Sequence, residues 1–518
     1  MVKQSFLYGA AVLLAASLFN RVLGFTYQVM MVRLIGPEGI GLFNMIYPIY
    51  MLLLVLATAG IPVALAKLVA EEAAVNNLRG AYRIFYLCFI MLGLSSVMVT
   101  VSCLLAAPYL TGFVFPNPKV YWSFLALLPG LVIVSLCSAF RGFFQGLQQM
   151  SPVAATQSLE QLIRVFCGYG IAWSLLPLGV EYAAAGASLG VVIGEFTGFL
   201  AILVIYARAR PLPGRRPAGR PGPVSLILPR VANLAFPVTL TRLATTFLVS
   251  SYAVIIPRRL QASGADLAAA TATFGKYVGI AESLLFLPGI VTVSLANALI
   301  PAIADVMAAG NIPLARSRVD DALRITCIAG IVSAVFFLVL AEDLCGTIFG
   351  YPEVGEILRI LALGSPFLYL QQTTTGILNG LGRAVLPFRN LAVAAAVEIA
   401  AMYYLTGLPQ LGIRGTAAAE AGGFAIMALL NLADVRRLVG HKMELKTLVV
   451  KPLLAAGGTV IPMLAVRHGL KNFFQPEFLA LAGALAAGVL CYGLLLVAVG
   501  AVDRRDIRRL VDALKNRA

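Results

Sequence analysis

Charged residues make up only 12% of the 518 positions, about half the share of an ordinary soluble domain. That shortage excludes a water-soluble chain of this length, and an apolar share of 60% excludes a disordered one. Histidine occurs twice, at His441 and His468. The arrangement of spans described below puts these two on opposite sides of a membrane. No histidine is therefore within reach of the lone G-x-S-x-G match at Gly186 to Gly190, which reads as small-residue helix packing. A G-x-x-x-x-G-K-[ST] loop, an H-E-x-x-H pair and a D-x-D triplet are all missing, so the chain neither uses ATP as its own energy source nor carries a zinc-peptidase centre. The seven cysteines include no C-x-x-C pair and fall mostly in apolar runs, where they act as small core residues. No cofactor, no metal and no enzymatic reaction is expected.

What is abundant is apolar sequence, with a mean hydropathy of +0.91. Apolar stretches of bilayer length begin near residues 6, 40, 82, 120, 153 and 183, and again near 231, 272, 325, 357, 390, 412, 449 and 478. The expected fold class is all-α: a polytopic membrane protein of about 14 transmembrane helices. The formal charge of +16 would point to nucleic acid in a soluble chain. Here it follows a topology rule instead. If the chain starts inside and alternates, most of its lysines and arginines fall on the inner side, among them Arg79, Arg83, Arg208, Arg316, Arg436 and Arg504. Both termini are then cytoplasmic, in a cell (cytoplasmic) membrane, and no nucleic-acid partner is implied.

The segment from Ala207 to Pro229 is rich in Pro, Gly and Arg and reads as an extended basic linker lying near anionic lipid. It divides the chain into residues 1–206, an N-terminal six-helix lobe, and residues 230–440, a C-terminal six-helix lobe. Residues 441–502 add two transmembrane helices and 503–518 a basic amphipathic tail. The lobes look duplicated. Thr58 to Pro62 (TAGIP) matches Asn297 to Pro301 (NALIP), and Arg79 matches Arg318, both at an offset of 239. Arg21 in LFNRVLGF matches Arg242 in LTRLATTF at 221, and Gly142 and Gly146 match Gly376 and Gly380 at 234. Six helices return the chain to its starting side, so the two copies should be parallel, pseudo-symmetric repeats around a central cavity, working by alternating access. Pro48, Pro62, Pro288 and Pro301 are candidate hinges, because proline removes a helix hydrogen bond and permits a kink; packing kinks without motion are the alternative.

Few ionisable residues fall within spans: Arg21, Glu160, Arg164, Glu195, Arg242, Glu282, Glu398 and Glu420. A charge at the bilayer centre costs about 2.5 to 3.5 kcal/mol, so each needs water or a partner. Two unpaired guanidiniums at Arg21 and Arg242 would make a substrate site for a phosphate-like anion. The other reading pairs each with a glutamate, Glu282 serving Arg242. Glu160 and Arg164 stand at i, i+4 on one helix face, either as an internal ion pair or as substrate contacts. Glu282 is a candidate for charge pairing, and Glu398 for coupling to a cation.

Three segments carry a resemblance: SLFNRVLGFTYQVMMVRLIGPEGIGLFNMIYPIY, TAGIPVALAKLVAE and RGFFQGLQQMSPVAATQSLEQLIRV. With them the chain resembles the stage V sporulation protein B group of the multidrug/oligosaccharidyl-lipid/polysaccharide (MOP) exporter superfamily, along essentially its whole length. The resemblance implies a MATE-like, two-lobed helical transporter. By kinship with lipid II flippases, it implies movement of undecaprenyl-pyrophosphate-linked sugars from the inner to the outer leaflet, in peptidoglycan and spore-cortex formation. In those relatives arginines on the first and seventh helices line the cavity, and Arg21 and Arg242 are the matching positions. The last two spans resemble those that guide the lipid tail. The implied partners are a lipid-linked oligosaccharide (polyprenyl pyrophosphate), membrane lipids, a coupling ion and cell-wall synthesis proteins. Two other readings stand beside it: a cation-coupled multidrug exporter, which would call for carboxylates where Arg21 and Arg242 stand, and a non-transporting scaffold for cell-wall enzymes.

Overall fold

The computed structural model describes residues 6–209, 223–440, 446–473 and 477–501. These residues are helical with no strand among them. Twelve of the helical segments are long and apolar enough to cross a membrane. One of these, Ala15–Thr58, holds 44 residues and is divided by a break at Gly36. A further helix, Gly355–Gly380, is outside the twelve because its QQTTT stretch, Gln371 to Thr375, dilutes its apolar character. Length and apolarity alone thus give twelve, against the fourteen expected.

The chain forms two compact units. The first contains the residues up to Gln261 together with Ala265–Gly279. Its opening helix α1 (Phe6–Thr58) is broken at Gly36, whose φ of 70° and ψ of 177° suit a residue without a Cβ; Pro37 then starts a second leg. Another break follows at Ala59 and Gly60, both left-handed, before α2 (Ile61–Ala74). α3 (Leu78–Tyr109) starts at Asn77, whose side chain accepts from the Gly80 amide at 3.1 Å. Helices α4 (Tyr121–Gly146), α5 (Met150–Leu175) and α6 (Val180–Ala209) pack closely together, with α1 lying against α5. α7 (Val224–Ala262) and α8 (Leu267–Lys276) complete the unit. The Ser250 hydroxyl of α7 donates to the Pro48 carbonyl at 2.8 Å, and α8 lies on α1. A core of rings fills the space between α3, α4 and α6: Phe85, Phe140, Phe143 and Tyr206 have centroids 5.0 to 6.0 Å apart.

The second unit starts in a wide π-type turn at Tyr277–Glu282 and continues through α9 (Ser283–Phe286), α10 (Gly289–Ala308), α11 (Ile312–Leu344) and α12 (Gly355–Gly380). α13 (Val385–Thr406) and α14 (Ile413–Val439) pack on each other, and α12 lies against α14. α15 (Lys451–Gly458), α16 (Val460–Phe473) and α17 (Glu477–Ala498) close the chain. They attach to α11 through Tyr492, which donates to the Ile328 carbonyl at 3.0 Å, and through an ion pair between Arg467 and Asp343.

The compact units part near residues 262–280, whereas the sequence divides at the linker. α7 and α8 belong with the first unit because their contacts run to α1 and α2: a methyl on Gly60 would stand 2.6 Å from the Ala235 carbonyl oxygen, and one on Gly275 1.9 Å from that of Pro37. The ends of the expected linker are helical, since α6 runs to Ala209 and α7 begins at Val224. Its residues 210–222, and the tail from 503 onward, lie outside the described residues.

The duplication is visible in the packing of each unit, and it follows one register. A methyl added at Gly142 would stand 2.8 Å from the Pro62 carbonyl oxygen, and one at Gly376 2.6 Å from that of Ala296. Gly146 meets Ala66 in the same way as Gly380 meets Ile300. The left-handed residues Asn76 and Gln148 recur as Gly310 and Gly382, and the helix cap Asn77 recurs as Asn311. Every one of these pairs is 234 positions apart. The offset of 239 that paired Pro62 with Pro301 is therefore corrected: Pro62 corresponds to Ala296. The shared proline was a coincidence of composition, because helix packing conserves the carbonyl facing a glycine, not the residue that supplies it.

Candidate functional site

Arg21 stands on the first leg of α1, on an exposed face with Leu18 and Val22. The neighbouring face of that leg is turned inward: Tyr27 is buried with its hydroxyl over Gly168 of α5, and Gly24 faces Gln161. Arg242 is exposed on α7 beside Leu240. Neither guanidinium has a hydrogen bond or an ion pair among the described residues. Within the second unit the electrostatic neighbours of Glu282 are Glu398 and Glu420. The two arginines are not strictly equivalent. Arg21 lies 15 positions before the Gly36 break and Arg242 lies 20 before the end of α7 at Ala262, so their depths along their own helices differ by about 7 Å at 1.5 Å per residue.

Glu160 and Arg164 meet as their spacing predicts, at 2.9 Å. What the sequence reading missed is a second cation. Arg141 lies in α4 and holds the other Glu160 oxygen at 2.7 Å. Arg164 also approaches Glu195 at 3.9 Å, and the Tyr50 hydroxyl donates to Glu195 at 2.9 Å. Two guanidiniums and two carboxylates thus balance inside the first unit, tied across α1, α4, α5 and α6. α4 runs past Arg141 to Gly146, and the close approach of Gly142 to the Pro62 carbonyl seats this end of the helix on α2. The charges of Glu160 and Arg164 are matched within this network, while the buried Nε atoms of Arg141 and Arg164 have no hydrogen-bond partner among the described residues.

In the second unit Glu398 of α13 and Glu420 of α14 are buried, and Glu282 is half-buried at the end of the π-type turn. The Glu398 carboxylate lies against Gly423, one turn from Glu420. At the 234-position register Glu398 corresponds to Arg164, so the two copies carry opposite charge at one place in the repeat. No group of three or more His, Cys, Asp or Glu side chains among the described residues is arranged to hold a metal ion.

The four candidate hinge prolines fall in different settings. Pro48 and Pro301 lie inside α1 and α10. Pro62 is in the first turn of α2, where its missing N–H costs nothing, and the break there belongs to Ala59 and Gly60. Pro288 stands at the junction of α9 and α10.

The model of the family described as "Polysaccharide biosynthesis protein" matches residues 6–307. The chain belongs to this polysaccharide biosynthesis protein family. A second family, MatE, matches residues 277–404. Among relatives of this chain, stage V sporulation protein B of Bacillus subtilis (strain 168) is 29% identical over 514 residues, 98% of each chain. Lipid II flippase MurJ of the same organism is 24% identical, covering 90% of this chain and 88% of its own. The likeness read from the three N-terminal segments is thus borne out over the whole length. Among solved structures, lipid II flippase MurJ in an inward closed conformation aligns with a TM-score of 0.68 at 17% identity, over 93% of this chain and 97% of that one. An inward-facing multidrug resistance MATE family transporter of the MOP superfamily gives 0.68 at 15% identity, over 81% and 94%. At these identities the structures establish the MATE-like fold alone. The chain is a multi-pass, all-helical membrane protein.

Proposed function

We propose that this chain is a flippase of the MOP superfamily that carries a polyprenyl-pyrophosphate-linked glycan, of the lipid II type, across the cytoplasmic membrane by alternating access, without catalysing a reaction. The observation that carries the reading is the state of Arg21 and Arg242: exposed, on apolar helices, with no acidic partner among the described residues. A guanidinium within a span needs water or an anion to offset about 2.5 to 3.5 kcal/mol, and its planar fork matches a phosphate oxygen pair. The name of the MurJ relative adds the substrate class, and that of the sporulation relative adds spore-wall synthesis as the setting. On this reading the repeats work as two lobes of six crossings, residues 1–206 and 230–440. Two more crossings in 441–502 bring the total to fourteen, with both termini cytoplasmic. Pro48, Pro288 and Pro301 serve as hinges on this reading, with the bend next to Pro62 supplied by Ala59 and Gly60, and cell-wall synthesis proteins are the partners.

The Arg141–Glu160–Arg164–Glu195 network serves the fold rather than the substrate, and Glu398, with Glu282 as the second candidate, couples transport to a cation. A cationic drug as substrate is disfavoured by the sign of Arg21 and Arg242. The test is leaflet accessibility of labelled lipid II in vesicles holding wild type or the Arg21→Ala/Arg242→Ala protein at equal expression. Translocation falls to background in the double variant. Unchanged translocation rejects the site, and a scaffold role predicts that outcome.

A further inference from the structure

The aromatic core of the first unit opens into a cavity that the substrate reading does not use. It has a volume of about 420 Å³ and is walled by Phe85, Tyr86 and Phe89 of α3, Phe140 of α4, and Leu203 and Tyr206 of α6. Phe85, Phe140 and Tyr206 are buried and form its floor, while Tyr86 is 44% exposed at its edge. The few polar groups facing it include two phenol hydroxyls, with Tyr206 donating to Tyr86 at 3.4 Å. A cavity of this size, apolar with a few polar groups, fits the usual dimensions of a small-molecule or single-chain site.

Its depth identifies the surroundings. The walls come from the start of α3, the end of α4 and the end of α6, which is one end of the bundle. α3 has 32 residues, roughly 48 Å at 1.5 Å per residue, against a hydrocarbon core of about 30 Å. Several residues at each end therefore stand outside the hydrocarbon, and Phe85, seven positions into the helix, falls at the boundary with the headgroups. The charge at this end is basic. Arg83 stands one turn before Tyr86 on the same helix face, Arg79 one turn before that, and Arg208 follows the cavity-lining Ala207. None of the three has an ion pair or a hydrogen bond among the described residues.

We propose that this cavity is a binding site for one anionic phospholipid, whose acyl chain enters between α3, α4 and α6 and whose phosphate is held by Arg83 with Arg208. The acid at this end, Glu72, is already held by Asn77 at 2.7 Å and by Arg230 at 3.9 Å, so an apolar cavity at headgroup depth with Arg83 and Arg208 beside it is complementary to a molecule with one apolar tail and a negative head. A zwitterionic lipid offers the same tail, but its ammonium opposes the rim. The site is separate from Arg21 and Arg242 and stands whether or not a glycan is the cargo.

The experiment uses the full chain in nanodiscs and phosphatidylglycerol bearing a photoreactive acyl chain, with a phosphatidylcholine probe of the same tail. Crosslinks from phosphatidylglycerol map to peptides containing Tyr86, Phe89 and Leu203 and are competed by unlabelled phosphatidylglycerol but not by phosphatidylcholine. Arg83→Gln lowers this labelling about fivefold, as loss of one basic side chain at an anionic surface implies, and Ala207→Trp, at an exposed position, abolishes it by filling the cavity. Equal labelling by both probes overturns the proposal. Unchanged labelling in Arg83→Gln, with a melting profile like wild type, overturns it too, as does competition by a long-chain prenyl phosphate alone.

Discussion

Replacing Glu160 with glutamine tests the network directly. Glu160 is the sole acidic partner of Arg141 among the ion pairs of the first unit and the closer of two for Arg164, and all three side chains are only 15 to 17% exposed. The amide keeps the shape but removes the charge, so the network passes from two cations and two anions to two cations and one anion. Arg164 retains Glu195 at 3.9 Å, while Arg141 keeps a guanidinium with no counterion. Breaking a buried pair in this way costs about 3 to 5 kcal/mol, most of it from the stranded charge. The double variant Glu160→Gln/Arg141→Gln removes one charge of each sign and leaves Arg164 facing Glu195, so it should recover about half of that loss or more. The assay is reversible unfolding in detergent or bicelles for wild type, both single variants and the double variant, closed as a thermodynamic cycle. If the double variant is less stable than Glu160→Gln, the losses add and charge balance is not what holds these helices. If Glu160→Gln leaves stability unchanged but removes transport, the network belongs to the substrate site instead.

The remaining predictions concern the repeat and the second unit. Gly142→Ala and Gly376→Ala should each lower stability by about 1 to 3 kcal/mol through overpacking, read from the melting midpoint, because the new methyl meets a backbone oxygen within 3 Å in both copies; a neutral outcome at either position contradicts the packing register. Asn77→Ala and Asn311→Ala should cost about 1 kcal/mol each, with faster amide exchange confined to the first turns of α3 and α11, since each side chain caps one amide at 3.1 Å. Asp434→Ala should destabilise by about 2 to 4 kcal/mol, because that buried carboxylate accepts from both Arg389 and Asn390 at 2.8 Å; protection of α13 from exchange should fall with it.

Much of the site was legible and some of it was not, for a reason that individual residues make plain. Glu160 and Arg164 were readable because their four-residue spacing fixes a shared helix face whatever the fold around them. Arg141 was not, because its partner Glu160 lies on a different helix, 19 positions away, and only the packing of α4 against α5 brings the two together. The equivalence drawn between Arg21 and Arg242 rested on similar flanking residues, but their distances to the next helix break differ by five positions, a quantity set by the length of α7 and the turn before α8.

The sequence by itself determined that this is a helical membrane protein, that it is built from two copies of one unit, and which few charges enter its spans. Those follow from hydropathy, spacing and composition, all of which are local. The tertiary structure alone decided the register of the duplication, the company of Arg141 and Glu195, the lack of an acidic partner for Arg21 and Arg242 among the described residues, and the aromatic cavity between α3, α4 and α6. Each of these depends on which helix lies beside which, and helix neighbours are chosen by close packing between residues far apart in the chain, a selection that no window of sequence contains.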